Sequence, residues 1–218
     1  MRSTLFAIFL IFVASIAYAA SDAEAECPVD KVGSPWSRAC FESVGDVLQV
    51  KPEYRHRVMP NASGFETILV AEPLELFAVN REGVVVVPGI AHTGDFDYPR
   101  AERGVGRFYS GGKCGYFQSK SFKIVVPAIY DACSAFREGK AVVCSECVRY
   151  CIGEECKNEQ FVGGKGYELA LNGKVIEEFV PSTLEDACGP VGVAKATTTY
   201  GKVPMLVCNT RPAPRSRK

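Results

Sequence analysis

Apolar residues in this chain fall in short runs of strand length, and each run is cut by glycine, proline or asparagine. That punctuation is the mark of β-hairpins. The fullest example is Gly112 to Asp131, GKCGYFQSKSFKIVVPAIYD. Gly115 and Tyr116 open a strand, Gln118 to Phe122 turn, and Lys123 to Val126 return. Pro127 has no N–H for a ladder and is expected to end the pairing, as are Pro52 and Pro88. Asn172-Gly173 should make a two-residue turn between 167–171 and 174–179, of type I′ with positive φ at both positions. Asn80-Arg81-Glu82-Gly83 is a four-residue version. Val84 to Val87, four valines in a row, predicts a strand covered on both faces. Ser34-Pro35-Trp36-Ser37 reads as the start of one short helix, with Trp36, the single tryptophan, as a core plug.

The hairpins repeat. Phe41 to Tyr54 and Leu76 to Pro88 each align with the 115–127 segment at a constant offset, and so does Gly166 to Ile176, without the proline. The aromatic anchors are Phe41, Phe77, Tyr116 and Tyr167, spaced 36, 39 and 51 residues apart. All four should occupy a core position. A second element recurs between hairpins: Asp97-Tyr98 to Phe108, Asp131-Ala132-Cys133 to Val143, and Asp186-Ala187-Cys188 to Ala194. Such periods mark an array built from one supersecondary unit.

These residues resemble the bacterial WG-repeat family, whose pattern opens Gly-Lys-Trp-Gly-Tyr. Gly112 to Val143 is the closest copy. The resemblance covers about Leu76 to Phe179 well and Phe41 to Tyr54 faintly. The signature Trp is Cys114 in the best copy, Glu75 in the preceding one, and Lys165 or nothing in the last. The resemblance implies an antiparallel hairpin array, often exported, with no catalytic residues to carry over.

The first 19 residues read as an export signal: Arg2, the apolar run Leu5 to Ile16, and the small-x-small site Ala17-Tyr18-Ala19, giving a mature start at Ala20. No later apolar stretch is long enough for a transmembrane segment in the mature chain. Residues 20–210 are expected to form one β domain, and 211–218 a disordered basic tail. Lys plus Arg balance Asp plus Glu at 25 each, which points to no nucleic-acid partner. All ten cysteines, Cys27, Cys40, Cys114, Cys133, Cys144, Cys147, Cys151, Cys156, Cys188 and Cys208, lie beyond the signal and are disulfide candidates in a periplasmic or extracellular destination.

The densest candidate for chemistry is Cys144, Cys147, Cys151 and Cys156, in an insertion that lengthens the last repeat. The arm reads as a protruding hairpin stapled by Cys151 with Cys156 and Cys144 with Cys147, with crossed pairing among the four as an alternative, since four cysteines allow three connectivities. The alternatives are a tetrahedral zinc site and a redox pair, though Val148-Arg149-Tyr150 is strand-like and lacks the helix that activates Cys-x-x-Cys. His92-Thr93-Gly94-Asp95-Phe96-Asp97 is a candidate polar site, read instead as a loop whose Asp caps its own turn. His56 lies in no nucleophile motif. Gly111-Gly112 and Gly163-Gly164 are turns, not phosphate loops. Asn61-Ala62-Ser63 is a glycosylation acceptor sequence. Taken together these expectations describe an all-β array of about four hairpin units, forming a curved sheet, roll or barrel with little helix outside the signal peptide. It needs no catalytic residue or cofactor, and its partner is a protein or a cell-envelope component.

Overall fold

The structure is a computed structural model. It describes residues 27, 36–71, 73–94, 96–152, 158–188, 192–200 and 203–210. The expected signal 1–19, the tail 211–218, Ser34, Pro35, Asp95 and Cys156 lie outside them.

Five small sheets make up the described chain. β1 (Phe41–Val44) and β2 (Val47–Val50) are a hairpin. β3 (Phe65–Val70), β4 (Glu75–Asn80) and β5 (Val85–Val87) form an antiparallel sheet in that order. β6 (Val105–Ser110), β7 (Lys113–Gln118) and β8 (Lys123–Tyr130) repeat it. β9 (Ala132–Cys133) and β10 (Lys140–Ser145) join β13 (Lys165–Ala170) and β14 (Val175–Phe179) in a third version. β11 (Val148–Ile152) and β12 (Asn158–Val162) intervene, and pair with β15 (Gly192–Tyr200) and β16 (Val203–Thr210) in the order β12-β11-β16-β15. None of the described sheets closes into a barrel. The only helical pieces described are 3-10 turns at Arg38–Cys40, Pro52–Arg57 and Glu102–Gly104. The first starts later than Ser34-Pro35 suggests: Trp36 is still extended, bridged to Val70, and Ser37 caps the turn by accepting from the Ala39 amide.

The predicted hairpins are β1–β2, β4–β5, β7–β8 and β13–β14, and the cores lie between them. Phe77 and Val79 of β4 face a core shared with Trp36, Phe41 and Val50, whereas Ala78 faces a second one with Phe108, Phe117 and Phe122. Likewise Phe117 of β7 serves that second core, while Cys114 and Tyr116 serve a third with Phe136, Val143 and Leu169. Alternate side chains of one middle strand therefore fill two cores. This is why those strands read as unbroken apolar runs. The valine run behaves the same way: Val85 packs on the first core, Val86 and Val87 on the second. Three anchors, Phe41, Phe77 and Tyr116, are buried, and Phe41 meets Phe77 edge-on at 5.4 Å. Tyr167 departs from the expectation. It is only partly buried beside Tyr130, and Leu169 plugs the core in its place.

Two backbone expectations need correction. β2 and β5 do end at Pro52 and Pro88, but β8 runs through Pro127 to Tyr130. The register jumps between Tyr116↔Val126 and Cys114↔Tyr130, so Pro127 sits in a bulge where no ladder donor is required. Gly115 lies opposite, pressed against the Val126 and Pro127 carbonyls where a Cβ would collide. The Asn172-Gly173 turn is present but is not type I′. Only Gly173 has positive φ (80°), and the Ala170 amide reaches the Lys174 carbonyl, the pattern of a type I turn with a glycine bulge. The true two-glycine turn is Gly111-Gly112, with φ of 58° and 75° between β6 and β7.

Candidate functional site

β10 delivers Cys144 to the root of the cysteine arm, where it is fully buried between β9 and β13. Cys147 follows after one turn whose Glu146 has φ 58° and whose amide donates to Asp131 Oδ2 at 2.6 Å. Lys113 Nζ holds the other oxygen of Asp131 at 2.5 Å. The Lys113 ammonium, and then the Glu146 amide, keep the Asp131 carboxyl below the usual aspartate range. Cys144 and Cys147 are bonded to each other, as the spacing suggested. Cys151 is also disulfide-bonded, and Cys156, its expected partner, lies outside the described residues. Sulfurs held in disulfides have no thiolate to offer a metal ion. Strand β11 starts at Val148, so no helix N-terminus follows Cys147.

The arm is a hairpin but does not protrude alone. β11 pairs in parallel with β16 through Cys151↔Met205 and Ile152↔Leu206, and Cys151 is 1% exposed. An unpaired β11 would leave its amides and carbonyls as an open edge, and the C-terminal hairpin covers them. The remaining described cysteines form Cys27–Cys40, Cys114–Cys133 and Cys188–Cys208, with Cα separations of 5.2, 6.1 and 5.4 Å. Cys114 thus clamps β7 to β9.

Of the two aspartates in the His92 loop, Asp95 lies outside the described residues and Asp97 is tied to another element. Asp97 does not cap its own turn. It is 5% exposed and receives Arg107 as a two-pronged pair, Nε and Nη2 lying 2.8–3.0 Å from its oxygens. Arg107 Nη1 continues to the Cys133 carbonyl at 3.0 Å, tying one repeat to the next. His92 bonds only the nearby Ile90 carbonyl through Nδ1. Sequence reasoning missed Arg107, although it lies within the recurring 97–108 element. The self-capping geometry appears instead in the third copy, where Thr183 Oγ1 donates to Asp186 Oδ2. His56 is exposed on its 3-10 turn. Asn61 holds a loop, its Oδ1 accepting from the Ser63 and Phe65 amides. Tyr116, the anchor of the best repeat, donates its hydroxyl to the Ser134 carbonyl at 2.7 Å, and burial pushes its phenol well above the usual range.

Two open clefts lie among the described residues. One of about 390 Å³ lies between β12 and the 179–182 segment, with Phe161, Phe179 and the 87% exposed Val180 on its walls. The other, of about 510 Å³, lies between β8 and the β13–β14 turn, with Arg103 and Lys123 at its rim. Among the described residues no group of three or more His, Cys, Asp or Glu is placed to hold a metal ion, and no helix is long and apolar enough to cross a membrane.

Neither a curated protein nor a solved structure matches the chain. Residues 117–146 match the model of the WG containing repeat family. The matched segment, similar to one WG-type repeat, runs from the end of β7 through β8, β9 and β10 to Glu146.

Proposed function

We propose that this chain is an exported, non-enzymatic WG-repeat-like module that binds a protein or cell-envelope component, in the periplasm or outside the cell. One observation carries the reading: the side chains able to do chemistry are spent on holding units together. Asp97 is consumed by Arg107, Asp131 by Lys113 and the Glu146 amide, the Tyr116 hydroxyl by Ser134, and the described cysteines by disulfides. Disulfides on this scale suit an oxidising compartment, and so does the signal-like N-terminus. A hairpin array offers an extended face with loops along one side, which is what a recognition module needs. The signature tryptophan is replaced throughout, so recognition falls to the clefts and loops rather than to a row of indoles. The test is co-purification: the tagged mature chain, cross-linked in its own envelope, should recover a stoichiometric component absent from an untagged control. Recovery of the chain alone would count against the module.

The second reading places metal binding or redox chemistry in the Cys144–Cys156 arm, and it draws on the short Cys144–Cys147 bridge with Cys147 partly exposed. Alkylation without reductant, read by intact mass, separates the two. The module predicts no alkylated thiol and no bound zinc; four alkylated thiols with one zinc would put the arm first.

A further inference from the structure

The cleft between β8 and the β13–β14 turn combines a close contact between repeats with two cations and an apolar wall. Gly173 lies so close to β8 that a Cβ there would stand 2.7 Å from Val126 Cγ2, so the turn is seated on the preceding repeat. Beside that contact the surfaces part to leave about 510 Å³, within the range of small-ligand sites, about 300–1,000 Å³. Two cations stand on it, Arg103 and Lys123, and no carboxylate lines it. Of the other cations on this sheet, Arg107 has Asp97 and Lys113 has Asp131. Arg103 and Lys123 form no ion pair with any described residue. Glu102, next to Arg103 in the chain, is already held by the Glu138 and Gly139 amides. Arg103 also has φ 49°, a conformation that glycine adopts more easily, yet here it carries a long cationic side chain.

The other walls narrow the ligand class. Asn172 Oδ1 is taken by the Lys174 amide and Gln118 Oε1 by the Ser121 hydroxyl, which leaves both carboxamide NH₂ groups as donors. Ile124, Val125 and Leu171 supply an apolar side. A bare anion would leave that side uncovered, and a purely apolar acid would leave the carboxamides unanswered. A ring with hydroxyls on its edge, an apolar face and one carboxylate satisfies all three. Arginine's planar fork matches a carboxylate through two parallel hydrogen bonds. We infer that this cleft binds a sugar acid, a pyranose ring bearing one carboxylate, which Arg103 and Lys123 hold together. The inference rests on the binding-module reading and names its ligand class.

Titration of the oxidised, isotope-labelled chain with D-glucuronate, followed by amide NMR, tests it. Saturable shifts are expected at the Gln118 and Asn172 side-chain amides and at the backbone of Lys123 to Val125, with a millimolar dissociation constant. Arg103→Gln and Lys123→Gln should each weaken binding about tenfold, the size of one charge-assisted hydrogen bond, while the remaining spectrum stays in place. D-glucose and inorganic phosphate at matched ionic strength should not move the same set. Equal shifts with phosphate, tighter binding of N-acetyl-leucine, or indifference to both substitutions would overturn the site. If glucuronate fails while co-purification recovers an envelope component, this cleft falls and the module reading stands; if both fail, both fall.

Discussion

Single side chains bind the repeats to one another, and their charge states set where the molecule is vulnerable. Asp131 anchors the arm's root, and its carboxyl lies below the ordinary aspartate range, first because of Lys113. A depressed carboxyl contributes stability that is fully present above the unfolded value of about 3.9 and is lost as pH falls through the folded value. The difference in urea midpoint between the wild type and Asp131→Asn should therefore be clear at pH 6 and shrink below about pH 4. A gap unchanged between those conditions would show that the carboxylate's charge is irrelevant. Asp97 poses a different case, because it is nearly sealed from solvent. Arg107→Ala strands a buried carboxylate and should cost about 3–5 kcal/mol by denaturant unfolding. A loss under about 1 kcal/mol would mean that water reaches Asp97 freely.

Among the elements, the β7–β8 hairpin is the most constrained. Its two strands differ in length across the bulge, and Gly115 is the residue that lets the Val126 and Pro127 carbonyls come close. Its backbone lies outside the left-handed region, so its requirement is space alone. Gly115→Ala should push the bulge apart and destabilise by about 1–3 kcal/mol, as overpacking does, with loss of the Cys114↔Tyr130 pairing in hydrogen exchange. Full stability in that variant would show that the bulge is plastic. The arm teaches the converse. A hairpin that reads as free-standing becomes one half of a four-stranded sheet once another hairpin finds its edge.

At the scale of the molecule, the described residues pack into three cores separated by thin sheets rather than one large core, and covalent bridges supplement them. Cys114–Cys133 closes a span of 19 residues and both sulfurs lie in the third core. Replacing both by Ala should lower stability by about 3 kcal/mol, from the freedom restored to the unfolded chain plus a small packing loss. Equal midpoints for the variant and the wild type would mean that the cores alone suffice.

Local chemistry alone determined much of this protein. Repeated spacing made the four hairpins and three of their aromatic anchors, Phe41, Phe77 and Tyr116, legible, and Cys144–Cys147 is one of the pairings it allowed. Also legible was the sharing of Val85 to Val87 between two cores, though only Val87 is fully buried and Val84 belongs to neither. Tertiary structure decided what depends on a distant partner. Pro127 stays within its strand because Gly115, twelve residues earlier, makes room for a bulge. Asp97 is an interhairpin tie because β6 brings Arg107 over it. Tyr167 is left half-covered at the margin of the third core while Leu169, two residues on, is sealed within it. β11 is an inner strand only because β16 needs a neighbour as much as β11 does. A turn is fixed by the dihedral preferences of two or three residues; a pairing is fixed by which edges the rest of the chain has left open.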